Sequence, residues 1–152
     1  MEESNDEAKL GKTLGFMRHL WALAHALQSR SKRMETAFGI TGQQRLALRI
    51  IGRLPGLAAG EAAELMRLHP STFTGIMQRI EARGLIERSR DDADGRRARL
   101  SLTERGRDLN DLRAGTVEEA IRRALARLEP EEIRVAERVL DTLSQELERD
   151  DG

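Results

Sequence analysis

Cysteine and tyrosine are absent from this chain of 152 residues, which contains only three phenylalanines and one tryptophan. Without a thiol, the chain can form no disulfide, no thiolate metal site, no cysteine nucleophile and no thiol-based redox sensor. So few aromatic side chains also argue against a platform on which unpaired bases stack. The function therefore has to be sought among chemistries that need neither thiols nor aromatic stacking.

Long apolar runs and enzyme motifs are missing as well. No apolar run approaches the roughly 20 residues that cross a bilayer, and the acidic start at Met1–Glu7 is unlike a signal peptide. We find no zinc-protease motif, phosphate-binding glycine loop or nucleophile elbow. His19 and His25 are six residues apart, on different faces of a helix, which disfavours a shared metal site. We expect a cytoplasmic protein that is not an enzyme and has no cofactor, no metal and no membrane contact.

The formal net charge is zero, but the charges are divided along the chain. Residues 1–40 carry 6 Lys/Arg and 5 Asp/Glu, residues 41–105 carry 12 and 8, and residues 106–152 carry 8 and 13. The basic centre could meet phosphates on one face. Charges that only solvate helices are an equally simple interpretation of composition alone.

Helical periodicity dominates the first third of the chain. Apolar residues recur every three or four positions from Ala8 to about Phe38, which predicts a long helix ended by Gly39. Thr41 and Gln44 have the spacing of a capping box that opens a second helix through Ile51. A single domain of this length can bury one core.

The central residues predict a helix-turn-helix. Glu61–Leu68 is a short helix with Ala62, Leu65 and Met66 inward, and Pro70 opens a second helix that runs to about Arg83. The outward face of this second helix is small, polar and cationic. Such a pair, joined by a tight break, is typical of a DNA-reading motif.

After Gly84 the period changes from helix to strand. Leu85–Arg88 and residues 98–102 predict two strands joined by a polar loop with Asp94-Gly95 at its tip. Beyond them, Thr103 caps a helix to about Leu128 in which Gly115 marks a bend, and Glu129-Pro130 opens a last helix. The predicted fold class is mainly α with a small β-hairpin wing, that is, a winged helix-turn-helix plus a helical dimerisation region.

Four segments in this order resemble the MarR (multiple antibiotic resistance regulator) family of bacterial transcription factors. They are His69-Pro70-Ser71-Thr72-Phe73-Thr74-Gly75-Ile76, Arg79-Ile80-Glu81-Ala82-Arg83-Gly84-Leu85-Ile86-Glu87-Arg88, Asp94-Gly95-Arg96-Arg97 and Leu102-Thr103-Glu104-Arg105-Gly106. With the flanking helices, the resemblance covers nearly the whole chain. The chain departs from the family pattern at Gly75, where many members carry an arginine, and at Ala62, which replaces a usual leucine.

The resemblance implies a regulator of transcription, expected to be a repressor, that binds double-stranded DNA as a homodimer on a near-palindromic operator. The regions would be an N-terminal dimerisation helix (8–40), the DNA-binding domain (41–105) and C-terminal dimerisation helices (106–148). The long terminal helices are amphipathic over more length than the centre can cover, which independently favours a second copy. The expected DNA contacts are Ser71, Thr72, Thr74, Gly75, Gln78, Arg79, Arg83, Arg96 and Arg97.

Within the wing, Arg96 and Arg97 would enter the minor groove or clamp phosphate, and Asp94 would hold them by a local ion pair. The resemblance further implies release of DNA by a small aromatic or anionic ligand. Its candidate contacts are His19, Trp21, His25 and Arg49, each of which also has an ordinary structural explanation. Two other functions stay open: a winged-helix module that binds proteins instead of DNA, and a helical small-molecule binding protein or enzyme whose hairpin is incidental.

Overall fold

The computed structural model describes residues 2–90, 93, 95 and 97–149, with side chains from residue 8 onward. Seven helices and three short strands make up this described part. In chain order they are α1 (Glu2–Phe38), α2 (Gly42–Arg53), β1 (Leu57–Ala58), α3 (Ala59–Met66), α4 (Pro70–Ala82), β2 (Ile86–Arg90), β3 (Ala98–Leu102), α5 (Glu104–Asp111), α6 (Val117–Leu125) and α7 (Pro130–Leu147). They fall into two compact units, Met1–Val117 and Glu118–Gly152. Within these described stretches, no helix is both long enough and apolar enough to span a bilayer.

Helix α1 is longer than the periodicity predicts. It starts at Glu2 instead of Ala8, and Gly11 interrupts it with a φ of 74° and a ψ of 167°. Its end at Phe38 confirms the prediction, because Gly39 takes the left-handed conformation, with a φ of 74°, that a helix C-terminus favours. Thr41 then opens α2 through the predicted capping box with Gln44.

The core of the first unit lies where α2, α3, α4 and the sheet meet. Leu48 on α2, Ile80 on α4 and Leu100 on β3 are each 0% exposed. In α3, Ala62 and Met66 are buried as predicted, but the prediction that Leu65 points inward is wrong, since this residue is 53% exposed. Ala62 and Met66 lie one above the other on the helix, and Leu65 is turned about 100° around the axis from Met66, which places it outside the buried stripe.

The predicted hairpin is present, within a three-stranded antiparallel sheet of order β1-β3-β2. The hairpin pairs Ile86 with Leu102 at its base and Arg90 with Ala98 toward its tip. Sequence analysis missed β1, whose Leu57 pairs with Leu100. A strand of two residues is too short to show an alternating pattern, so its signal is absent from the sequence.

The single helix predicted from Thr103 to Leu128 is wrong, because α5 ends at Asp111 and α6 begins at Val117. A buried arginine of α2 contacts this break. Arg45 is 2% exposed, and its guanidinium donates hydrogen bonds to the carbonyl oxygens of Leu109, Asn110 and Leu112. These carbonyls lie at the end of α5. Leu109 O also accepts from Leu112 N, and Asn110 O also accepts from Arg49 Nη1, so Arg45 adds to the hydrogen bonds that stabilise the break.

In the second unit, α7 begins at Pro130, where the prediction put it, behind a capping box between Glu129 and Glu132. Large apolar side chains on α6, on α7 and in the segment between them are exposed in the single chain. They are Ile121, Leu125, Leu128, Val135, Leu140 and Leu147. A comparable exposed set lies on α1 in the first unit and comprises Leu10, Leu14, Phe16, Met17, Trp21, Leu23 and Leu27.

Candidate nucleic-acid interface

Helix α4 is anchored to the core along one side and open along the other. Its four buried residues recur at i, i+3, i+4 and i+7, the spacing of a single helix face. They are Phe73, Ile76, Met77 and Ile80. The opposite side, which we call the outward face, is thereby held in one orientation. It comprises Ser71, Thr72, Thr74, Gly75, Gln78 and Arg79.

A histidine caps the N-terminus of α4. The Nδ1 atom of His69 accepts a hydrogen bond from the backbone N–H of Ser71 at 3.2 Å and lies 2.7 Å from Ser71 Oγ. A ring nitrogen that accepts an N–H carries no proton, so the ring proton is on Nε2. Pro70 follows at the first helical position, as the sequence predicts. The cap itself was missed because histidine is not among the usual N-cap residues.

The turn before this cap is tight. Arg67 ends α3 with a φ of 53° and a ψ of 40°, and it is the one non-glycine residue with positive φ among those described. This left-handed residue reverses the chain within a few positions, which lets α4 start directly after α3. The predicted break between the two helices is confirmed.

On the outward face, Ser71, Thr72, Thr74, Gln78 and Arg79 are all exposed. The hydroxyl of Thr74, an expected DNA contact, has its proton engaged within α4, because Oγ1 donates to the carbonyl oxygen of Pro70 at 2.8 Å. Gly75 is partly exposed, and a Cβ placed there would meet no atom within 4 Å. The outward face therefore has no side chain at Gly75, near its centre, and longer side chains at Gln78 and Arg79.

Arg83, also predicted to contact DNA, lies at the other end of α4. It is the C-cap residue, roughly 20 Å along the helix axis from Pro70. Its guanidinium lies close to Gly39, within reach of any side chain placed there. The structure thus groups Ser71, Thr74 and Gly75 on the first two turns of α4 and separates Arg83 from them.

Of the predicted wing residues, Asp94 and Arg96 lie outside the described residues. Arg97 is exposed, and its Nη2 atom is 3.8 Å from Oε1 of Glu61 on α3. The wing is also tied to α4 by an ion pair between Arg88 Nε and Glu81 Oε2 at 2.9 Å. Arg97 therefore faces the carboxylate of Glu61 on α3, a partner that the sequence analysis, which expected Asp94, did not predict.

Two residues of the last motif segment fix the base of the wing. The Thr103 hydroxyl donates to Gly84 O at 2.5 Å and accepts from Gly106 N at 3.0 Å, while Thr103 N donates to Leu85 O at 3.1 Å. Gly106 is buried so closely against Leu85 that a Cβ would overlap the Leu85 carbonyl oxygen. Threonine and glycine at this spacing thus hold α5 against the start of the wing.

The candidate ligand residues are not brought together in the single chain. His19, Trp21 and His25 are exposed on α1, with Trp21 and His25 one turn apart and Trp21 68% exposed. Arg49 lies on α2, where its Nη1 donates to the backbone oxygen and to Oδ1 of Asn110 at 3.2 and 3.1 Å. In the ranges the structure describes, no group of three or more His, Asp or Glu side chains is arranged to bind a metal ion.

An exposed helix after a tight turn, flanked by an antiparallel hairpin, defines a winged helix-turn-helix protein. Comparison with known proteins specifies the family. The sequence profile of the MarR family matches residues 38–97. An organic hydroperoxide resistance transcriptional regulator of Bacillus subtilis is 33% identical over 106 residues, which cover 70% of this chain and 71% of that protein. The chain belongs to the MarR family.

Two further comparisons extend over more of the chain. An HTH-type transcriptional repressor of Mycobacterium bovis is 27% identical over 133 residues, 88% of this chain and 94% of the repressor. The S. aureus protein MepR, in a crystal structure with DNA, matches with a TM-score of 0.70 and 21% identity over 88% of this chain and 98% of its own. At that identity the structural match establishes the fold alone.

Proposed function

We propose that this protein regulates transcription by binding duplex DNA as a homodimer on a near-palindromic operator, where it acts as a repressor. The observation that carries the proposal is the outward face of α4, which is rigidly backed by the core and whose side chains are small and polar. A helix of this kind fits the major groove. The M. bovis relative, which is named a transcriptional repressor, supports the repressor role.

The contacts divide by side-chain chemistry. Ser71, Thr72 and Gln78 are short or flexible enough to reach base edges, and Gln78 has the bidentate amide that suits adenine. From α4, Arg79 and Arg83 contact phosphates or guanines. From the wing, Arg96 and Arg97 contact phosphates or enter the minor groove.

The homodimer is supported by the apolar surface that one chain leaves uncovered. On α1, Trp21, Leu14 and Leu23 are 68%, 55% and 56% exposed, and in α7 Leu147 is 76% exposed. Contiguous apolar rows of this length are unusual on a monomer and are commonly covered by a two-fold copy. We assign dimerisation to regions 8–40 and 106–148 and DNA binding to region 41–105.

The signal that releases DNA is, in this proposal, a small aromatic carboxylate or similar anion. The B. subtilis relative is named for organic hydroperoxides, but this chain has no cysteine, so thiol oxidation is not available to it. Trp21 and His25 offer a ring and a polar nitrogen one turn apart, with His19 and Arg49 as the other candidates. Benzoates, salicylates and hydroxycinnamates should raise the melting temperature and release the operator, and DNA should weaken ligand binding by the same factor.

Duplex binding measured at several salt concentrations tests the proposal, on an operator selected from a random-sequence pool. Gln78→Ala should reduce discrimination between operator and random DNA by about 1–3 kcal/mol and leave the salt dependence unchanged. Arg97→Ala should weaken binding to all duplexes and lower the slope of log affinity against log salt by about 1.

Arg134→Ala serves as the control, because Arg134 is an exposed arginine of α7 paired with Glu131 on its own helix. It should change neither the discrimination nor the slope. If no duplex is enriched and the purified chain has no measurable DNA affinity, the winged helix binds a protein or a small molecule instead, and the proposal is wrong.

A further inference from the structure

The hydroxyl of Thr74 is engaged within its own helix. Its single proton is donated to Pro70 O, four residues earlier, at 2.8 Å. With its proton engaged, Oγ1 can only accept further hydrogen bonds, and the methyl carbon Cγ2 is the apolar part of this exposed side chain. Thr74 therefore has a methyl group, but no free hydroxyl proton, to offer to a ligand.

No side chain projects from the helix at the residue after Thr74. Gly75 has open space where a side chain would begin, with no atom within 4 Å of a Cβ placed there. No core packing explains a glycine here, and glycine inside a helix destabilises it relative to alanine. Ser71, one turn earlier, is small, and its hydroxyl lies 2.7 Å from His69 Nδ1. A flat DNA surface could therefore approach the helix backbone closely at this point.

We propose that Thr74 Cγ2 contacts the C5-methyl group of a thymine in each half-site, and that Gly75 allows the approach which this short contact needs. Thymine is the one DNA base with a methyl group at its major-groove edge, and a threonine methyl is a suitable partner for it. The inference rests on the proposed function and specifies one base that the recognition helix reads.

The experiment replaces thymine by deoxyuridine, which removes only the methyl group and keeps every hydrogen-bonding group of the base. The operator is selected with the full-length protein, and each thymine of a half-site is then replaced singly, together with its symmetry mate. For the unchanged protein, we expect one position at which affinity falls roughly fourfold per half-site, the value of one buried methyl.

Two substitutions at Thr74 separate the methyl from the hydroxyl. Thr74→Ser keeps the hydroxyl and its bond to Pro70 O but removes the methyl, so it should bind the thymine and deoxyuridine operators equally. Thr74→Val keeps a methyl and removes the hydroxyl, so it should still prefer thymine. Position 74 is exposed, so neither substitution should disturb the core. Unchanged melting temperatures would check that both variants fold.

Gly75→Ala tests the close approach. It should weaken operator binding at least tenfold while the melting temperature stays the same or rises. The inference is overturned if no thymine position responds to deoxyuridine, if Thr74→Ser keeps the full preference for thymine, or if Gly75→Ala binds as well as the unchanged protein. In each of these cases sequence-selective binding itself survives, whereas failure to enrich any duplex would overturn both the inference and the proposed function.

Discussion

Replacing Gly106 by alanine should destabilise the protein severely, although only one methyl group is added. The new Cβ would overlap the carbonyl oxygen of Leu85, which is backbone and has no rotamer to change, and it would lie 3.0 Å from the Leu85 carbonyl carbon. To relieve the overlap, α5 must move away from the wing by roughly 1 Å, beyond the range in which packed atoms attract each other well.

Two hydrogen bonds cross the gap that would open. Thr103 N and Oγ1, at the N-cap of α5, donate to Leu85 O and Gly84 O at 3.1 and 2.5 Å. At about 1 kcal/mol each, their loss alone lowers the free energy of unfolding by about 2 kcal/mol. For a chain of this size the melting temperature falls by about 4–8 °C.

Urea unfolding and calorimetry at one fixed protein concentration measure this effect, since the stability of the proposed dimer would depend on concentration. Gly60→Ala is the matched control. Gly60 also lies in a helix, but a Cβ there meets no atom within 4 Å, so this change should stabilise the protein by about 0.5–1 kcal/mol. If Gly106→Ala costs less than about 1 kcal/mol, the close contact between α5 and Leu85 does not exist as described.

Three other predictions concern charge and assembly. Glu61→Gln should raise the affinity for every duplex by at most about fivefold, because it frees Arg97 from an exposed ion pair of small free energy; unchanged affinity would mean that the pair does not compete with DNA. Arg45→Ala should lower the free energy of unfolding by roughly 2–4 kcal/mol, because it removes the buried charge-assisted hydrogen bonds to the carbonyls of Leu109, Asn110 and Leu112, and Arg45→Lys should not restore it, since one ammonium group lacks the planar fork. Light scattering should give about twice 17.1 kDa, and removal of residues 133–152 should abolish folding or dimerisation; a monodisperse monomer at micromolar concentration would contradict this.

Much of the fold is predictable because its determinants are local. The capping box at Thr41, the proline at the start of α4, the cap at Thr103 and the left-handed Gly39 each act within about one helical turn, so their spacing in the sequence is sufficient. The break between α5 and α6 was missed for the opposite reason. The carbonyls at this break bind Arg45, a residue 64 positions away from Leu109, and no local sequence pattern predicts such a partner.

In the candidate site, too, some features can be predicted from local sequence and others depend on the packing of the folded chain. That the outward face of α4 is small and polar is evident from helical periodicity alone. That the hydroxyl of Thr74 is bound to Pro70 O, that His69 caps the helix and that Glu61 faces Arg97 all depend on side-chain rotamers and on the packing of α3 beside the wing. These are properties of the folded chain, and they decide which atoms are left to meet a ligand.

Because β3 is the central strand of the sheet, the stem of the wing has limited freedom to move. Leu57 of β1 pairs with β3 on one side, Arg99 Nη1 donates to Gly56 O at 3.1 Å, and Arg88 holds β2 to α4 through Glu81. In the proposed function, α4 contacts the major groove and the wing contacts the DNA beside it, and a stem braced on both sides would keep the distance between these two contacts constant. One base pair inserted between the two contacts of an operator would turn the second by about a tenth of a helical turn, and the wing would no longer reach it.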